Sequence, residues 1–229
     1  MLNVDDVFVS YGQSEALHGI SFNAAHNETV AIMGRNGMGK TTLFKSLIGI
    51  LPLKAGSVQV DGEEVSRDES FRRVAKGIAY VPQGRQIFAT LSVEENIQTG
   101  LENAPTKTVP EEIYALFPVL YDMRTRKGGN LSGGQQQQLA IARALVTQPK
   151  VLLLDEPTEG IQPSIIKDIA KALNEIRKLR DITIVVSEQV LSFALDVADR
   201  LFVIEGGRLV HESPRSAVDS AKIREYLSV

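Results

Sequence analysis

Gly34 and Gly39 are separated by four residues and followed directly by Lys40 and Thr41, with Gly37 between them. Glycines at such positions let the backbone close around a phosphate, because side chains would shield the N–H groups that bind its oxygens. Lys40 then supplies charge for the β and γ phosphates, and the Thr41 hydroxyl is an oxygen ligand suited to magnesium. Arg35, Asn36, Met38 and Thr42 complete the loop, and the whole segment predicts a cradle for a nucleoside triphosphate.

Two adjacent acids add hydrolytic chemistry. Asp155 follows the apolar run Val151 to Leu154, so its carboxylate emerges at the end of a central strand, where it holds magnesium directly or through water. Glu156 is then the group to orient and deprotonate an attacking water. Gln83 follows a strand and Pro82, and its amide is suited to touch metal and water while the next segment begins. A further anion-binding surface is expected at Leu131, Ser132, Gly133, Gly134 and Gln135, where Ser132 caps a helix running through Leu145. A cap alone does not require two glycines. Because the first loop already surrounds its own phosphates, this surface is expected to serve a nucleotide held by another subunit.

These residues need elements to hold them. Thr29 to Met33 is a continuous apolar strand that enters the glycine loop, and Thr41 to Ile50 has a helical pattern with Leu43, Leu47 and Ile50 on one face. Strand, glycine loop and helix are the setting that phosphate binding requires. Short strands are expected at Val7 to Val9 and Ile20 to Phe22, joined by a turn at Tyr11 and Gly12 and a polar connection from Gln13 to Leu17. Gly56 to Val60 with Asp61 and Gly62 predicts a strand and hairpin turn, and Gly77 to Val81 another strand. From Gln83 to about Lys150 the pattern becomes helical, at Glu94 to Leu101 and Glu111 to Leu120, with a loop from Ala104 to Pro110. Buried strands return at Val151 to Leu154 and Ile182 to Val186, around a helix from Pro163 to Lys178. A hairpin at Phe202 to Val210 and a helix from Ser216 to Leu227 close the chain. Alternating strands and helices imply a largely parallel sheet with both faces covered.

Composition sets limits. A chain of 229 residues, 43% hydrophobic, is expected to form one unit with a large core. A net charge of -3 lacks the basic surface of nucleic-acid readers, so no nucleic-acid partner is expected. The chain has no cysteine, which excludes disulfides and thiolate metal sites. Its apolar runs are far shorter than the eighteen or so residues of a membrane helix. Met1 to Asp6 lacks the basic start of a secretory signal.

The three segments Gly34 to Thr42, Leu131 to Gln135 and Val151 to Glu156 together resemble an ATP-binding cassette subunit of a membrane transporter, over essentially the whole chain. The resemblance implies an α/β phosphate-loop NTPase fold: one domain over residues 1–229, with a mixed sheet, N-terminal antiparallel β elements and a helical subdomain at about 84–150 inserted in a RecA-like core. It implies ATP and Mg2+ as cofactors, and a dimer in which the phosphate loop of one subunit faces Ser132, Gly133, Gly134 and Gln135 of the other. Tyr11 would stack on adenine, and Thr158 to Gln162 would form the dimer-contact loop, although it departs from the commonest Ser-Ala-Leu-Asp form. Gln189 stands where the family usually presents a histidine to the γ phosphate. Glutamine donates a hydrogen bond there but cannot carry the titrating proton or the charge of imidazole. His18, His26 and His211 read as ordinary polar residues.

Gln189, the stretch Asp155 to Ser164 and the stretch Gln83 to Phe88 resemble the ATPases of branched-chain amino acid and urea importers, with Thr158 to Pro163 most like the urea member. Implied partners are a second ATPase, identical or not, transmembrane permease subunits and, indirectly, a solute-binding protein. The implied location is the cytoplasmic face of the cell membrane. The rival reading is a nucleotide-gated clamp with incidental hydrolysis.

Overall fold

The computed structural model describes residues 1–102 and 106–228; Ala104 and Pro105 of the expected loop lie outside them. Strands β1 (Leu2–Tyr11) and β2 (Ser14–Ala24) pair antiparallel, and β3 (Thr29–Met33) leads through the glycine loop into α1 (Lys40–Leu47). Then come β4 (Ala55–Val60), β5 (Glu63–Glu64), α2 (Ser70–Ala75) and β6 (Ile78–Val81). Helices α3 (Val93–Gln98), α4 (Glu111–Leu116), α5 (Pro118–Asp122) and α6 (Gly133–Leu145) follow. The chain continues with β7 (Val151–Asp155), α7 (Pro163–Arg180), β8 (Thr183–Glu188), α8 (Leu191–Val197), the hairpin β9 (Arg200–Glu205) and β10 (Arg208–Pro214), and α9 (Ser220–Leu227).

Two sheets result. One is antiparallel, in the order β2-β1-β4-β5, and the other runs β10-β9-β3-β8-β7-β6, with β9, β3, β8, β7 and β6 parallel and β10 antiparallel. The central strands β3, β7 and β8 of the larger sheet are buried at every position because both faces are covered, whereas the edge strand β10 is largely exposed. Val30, Ile32, Leu153, Val185 and Phe202 face the core shared with α1 and the smaller sheet. Ala31, Met33, Leu152, Leu154, Val186 and Val203 face the core shared with α6, α7 and α8. Val93, Ile113, Phe117 and Leu120 belong to this second core, so the helical stretch is packed continuously onto the sheet.

Several boundaries differ from expectation, each for a local reason. β1 and β2 stay paired to Tyr11 and Ser14, so the polar stretch from Ser14 to Leu17 is strand, and the connection shrinks to Gly12 and Gln13. Helix α1 stops at Leu47, with Gly49 at φ 82°, and Ile50 is 53% exposed instead of sharing the buried face. Buried Arg73 caps this end by donating to the carbonyls of Ser46 and Leu47, each at 2.8 Å. The single helix expected from Glu111 to Leu120 is two, because Pro118 forces Phe117 out of helical geometry (φ -132°, ψ 73°). The last helix starts at Ser220, where the Asp219 carboxylate accepts from Ala221 N at 2.9 Å and Lys222 N at 3.2 Å. The short helices α2 and α8 had no clear signal in the sequence.

Candidate active site

The parallel register brings four chain segments to one edge. Met33 pairs with Glu188 and Asp155 with Ser187, so the segments leaving β3, β7 and β8 emerge side by side, and β6, next to β7, delivers Gln83 beyond Pro82. This is the carboxyl edge of a parallel sheet, where α/β folds place their ligands.

The glycine loop wraps its own lysine. Lys40, 3% exposed at the first turn of α1, donates to the carbonyl oxygens of Gly34 at 2.6 Å and Arg35 at 2.8 Å, and its Nζ lies 2.9 Å from Glu156 Oε1. Gly39 adopts φ 108°, and a Cβ there would lie 2.9 Å from Leu17 Cδ2. Glycine at that position thus lets β2 close against the loop.

Glu156 is the point of convergence. It is 7% exposed, has a left-handed backbone at φ 47°, and its N–H donates to Ser187 Oγ at 3.0 Å. Besides Lys40, it faces Gln83 Nε2 at 3.3 Å and Gln189 Nε2 at 3.4 Å. Gln189 Nε2 also donates to Asn36 Oδ1 in the phosphate loop at 2.8 Å. Gln83 Nε2 donates further to Glu159 Oε2 at 3.0 Å, and Arg85 donates to the Glu159 carbonyl at 3.2 Å.

Asp155 sits behind this group. Its carboxylate accepts from Ser187 Oγ at 2.6 Å, Thr41 Oγ1 at 3.3 Å and Tyr80 OH at 3.2 Å. Burial pushes its carboxyl above the usual range, and these three hydrogen bonds pull the other way. Tyr80 is itself pushed up, by burial first and by Asp155 next. The hydroxyl of Thr41 and the carboxylate of Asp155 are hard oxygen donors within contact of each other, which suits Mg2+ completed by substrate phosphates and water. Among the described residues, no group of three or more His, Cys, Asp or Glu is placed to hold a metal by itself. Gln83 is brought to Glu156 and Glu159 and has no recorded bond to Thr41 or Asp155.

A cavity of about 660 Å³ opens over the loop, lined by Tyr11, Asn36, Gly37, Gly39, Lys40, Thr41, Thr42, Gln83 and Glu156. That is ample for a nucleotide. Tyr11 is 51% exposed on the rim, with its hydroxyl 3.3 Å from Thr42 Oγ1. Sequence reading missed the opposite wall. Ser14, Glu15, Ala16 and His18 of β2 line it with Gly206 and Gly207 of the β9–β10 turn. His18 lies within it, 3.1 Å from Glu15 Oε2, whereas His26 and His211 lie elsewhere. Tyr80, Ser187 and Glu188 were also missed as supports of the site; their only signal is adjacency to Val81, Asp155's partner strand and Gln189.

Ser132, Gly133, Gly134 and Gln135 do not line this cavity. They open α6 with a reciprocal cap: Ser132 Oγ accepts from Gln135 N at 3.4 Å, and Gln135 Oε1 accepts from Ser132 N at 3.0 Å. The two glycines have packing reasons of their own. A Cβ on Gly134 would lie 2.8 Å from Ile165 Cγ2, and one on Gly133 would lie 3.0 Å from the Arg85 guanidinium.

A family model described as "ABC transporter" matches residues 17–159. The high-affinity branched-chain amino acid transport ATP-binding protein BraG of Pseudomonas aeruginosa is 38% identical, over 98% of both chains. A probable branched-chain amino acid transport ATP-binding protein LivF of Archaeoglobus fulgidus is 36% identical, over 91% of this chain and 90% of its own. The lipopolysaccharide export system ATP-binding protein LptB of Haemophilus influenzae is 32% identical, over 99% and 97%. Among solved structures, cbiO1 of Clostridium perfringens, part of an ABC transporter complex, superposes with a TM-score of 0.82 at 30% identity, covering 97% of this chain and 92% of its own. The dimeric post-hydrolysis state of the cassette MJ0796, bound to ADP and Pi, superposes with a TM-score of 0.83 at 25% identity, covering 94% and 99%.

Proposed function

We propose a role that starts from one fact: the chain belongs to the ABC transporter family. It is an ATP-binding subunit and an ATPase coupled to transport. No described helix is long and apolar enough to cross a membrane, and in this reading transmembrane permease subunits hold the chain at the cytoplasmic face of the membrane. The solute is a branched-chain amino acid, taken up by an importer that receives it from a solute-binding protein. The relatives aligned over nearly the full length at 36–38% identity support that choice. The Thr158 to Pro163 stretch favours a second reading, urea or a short amide.

ATP binds in the cavity over the glycine loop with adenine on Tyr11, and the triphosphate takes the place that the Gly34 and Arg35 carbonyls and Glu156 now occupy around Lys40. Thr41 and Asp155 would hold Mg2+, which would supply positive charge against the phosphates of ATP. Glu156, released from Lys40, accepts the proton of the attacking water, and Gln83 orients that water. Gln189 donates to the γ phosphate with the amide it now gives to Asn36. Ser132, Gly133, Gly134 and Gln135 close on the nucleotide of a second ATPase subunit, in keeping with their position away from this chain's own cavity.

The observation that carries this reading is the convergence of Lys40, Gln83 and Gln189 on one buried carboxylate, Glu156. Uptake of labelled leucine and of labelled urea by cells expressing the transporter with wild-type or Glu156→Gln subunit tests it. Loss of leucine uptake alone supports the first solute, loss of urea uptake alone the second, and unchanged uptake of both removes the assignment. The amide of Gln189, which does not titrate, favours a nucleotide-gated clamp as the alternative. Absence of any ATP turnover in the assembled transporter would decide for it.

A further inference from the structure

Glu188 is 2% exposed, and its two carboxylate oxygens serve two different loops. Oε1 accepts from Thr158 N at 3.1 Å and Thr158 Oγ1 at 2.6 Å, in the loop after β7. Oε2 accepts from Gln189 N at 2.9 Å and Val190 N at 3.0 Å, in the loop after β8. Thr158 is itself 4% exposed, so its two bonds to Oε1 lie where competition with water is weak and where an unmade bond is costly, while the two bonds to Oε2 are partly buried. The first loop continues to Glu159, which holds Gln83 and Arg85, and the second presents the Gln189 amide to Asn36 and Glu156.

We propose that Glu188 is a positioning residue that fastens the Thr158 to Gln162 loop and the Gln189 peptide into one rigid piece, so that displacement of that loop moves the Gln189 amide relative to Glu156. This rests on the reading of Gln189 given above. A carboxylate suits the task because it is acceptor-only: with four N–H and O–H donors pointing at it, neither oxygen can be exchanged for a donor without opposing one loop. In a dimer, a partner that pushes on the 158–162 loop would thereby set the chemistry of this chain's own site.

The test is amide hydrogen exchange on the full chain, read at Thr158 and at Gln189 and Val190, in the wild type and Thr158→Val. The substitution keeps the shape and removes only the hydroxyl bond to Oε1. A fastened pair predicts that exchange at Gln189 and Val190 also quickens, by about fivefold, the size of one lost hydrogen bond. Faster exchange at Thr158 with none at Gln189 and Val190 overturns the proposal, because the loops then move independently. ATP turnover and ATP affinity of Glu188→Gln, Gln189→Ala and the double variant complete it. The expected result is slower turnover in each single variant, an ATP affinity in Glu188→Gln no weaker than in Gln189→Ala, and no further slowing in the double variant. Multiplied losses overturn the positioning role while leaving Gln189 in place. Wild-type turnover in Gln189→Ala overturns the reading of Gln189 itself, whatever the exchange data give.

Discussion

Lys40 Nζ lies 2.9 Å from Glu156 Oε1, and both residues are buried, so the group proposed to grip phosphate and the group proposed to take a proton pair with each other in this structure. Removing one partner of such a pair leaves a buried charge without compensation, at a cost of about 3–5 kcal/mol. Lys40→Ala is therefore expected to lower the unfolding free energy of the nucleotide-free protein by that order. Glu156→Gln should lower it much less, since Lys40 keeps the Gly34 and Arg35 carbonyls. Urea denaturation of both variants measures the difference. In turnover the order of damage has another form: Glu156→Gln keeps ATP binding and loses roughly a hundredfold or more in rate, while Lys40→Ala loses binding itself. Near-normal turnover of Glu156→Gln would remove Glu156 as the base.

Gln189 reaches both Asn36 and Glu156 with one amide nitrogen, and its protonation does not change with pH. Gln189→His puts a titrating ring there, with an ordinary value near 6.5. The variant should acquire a limb in its rate profile between about pH 5.5 and 7.5 that the wild type lacks, and its rate above that limb should exceed the wild type's. ATP turnover across that range, alone and with the partner subunits, reads both effects. Identical profiles for the two proteins would show that position 189 does not touch the reacting phosphate.

The placement of the candidate site's residues was legible in sequence where it is local. Thr29 to Met33 reads as a buried strand, the glycine spacing as a loop between strand and helix, and the apolar run before Asp155 as its strand; β3 and β7 stand where these patterns place them, and α1 follows the loop but ends at Leu47, short of the expected Ile50. What stayed hidden depends on pairs far apart in the chain. Tyr80 meets Asp155 and Thr158 meets Glu188 only because β6, β7 and β8 are neighbours in register. Ala16 and His18 become a cavity wall only because Gly207, at φ 73°, brings the β9–β10 turn onto β2, where a Cβ would lie 2.2 Å from Ala16 O. The break at Pro118 was readable, since the residue before a proline leaves helical geometry, but the apolar spacing on either side of it concealed the interruption.

Gly134 is closed to any side chain by Ile165 on α7, at 2.8 Å from an added Cβ. Ile165 is held by helix packing, so Gly134→Ala should overpack this junction and cost about 1–3 kcal/mol. Thermal unfolding should report the loss, and adding Ile165→Ala should recover most of it by clearing the space. Gly133→Ala should cost far less, because the atoms it meets are the mobile end of Arg85. Equal losses at the two glycines, or no recovery with Ile165→Ala, would mean that packing does not explain the pair.

Tyr11 offers an exposed ring at the rim of the cavity and little to the core, being 51% exposed. Replacing it by alanine is expected to leave thermal stability nearly unchanged and to weaken ATP binding by about tenfold, the order of one lost aromatic stacking contact of 1–3 kcal/mol. Tyr11→Phe keeps the ring, loses only the contact with Thr42 Oγ1, and should bind nearly as the wild type does. Titration of the three proteins with ATP, and with triphosphate lacking a base, distinguishes stacking from a general effect: only the ATP affinity should fall.

Burial raises the Glu188 carboxyl above its ordinary value of 4.5, with the donors from Thr158, Gln189 and Val190 opposing that rise. Between the ordinary value and the raised one, the folded protein holds a proton on Glu188 that the unfolded chain does not. Stability then falls as pH rises through this window, by the linkage between bound protons and unfolding free energy. Glu188→Gln separates the effect from the other carboxylates because it removes only this titration, while the donor that its amide turns on one loop acts at every pH. The melting temperature of the wild type minus that of Glu188→Gln should therefore increase as pH is lowered from 7 through the raised value, and level off below 4.5. A difference that shrinks on acidification would mean that the four hydrogen bonds outweigh burial and that the folded carboxyl titrates below its ordinary value.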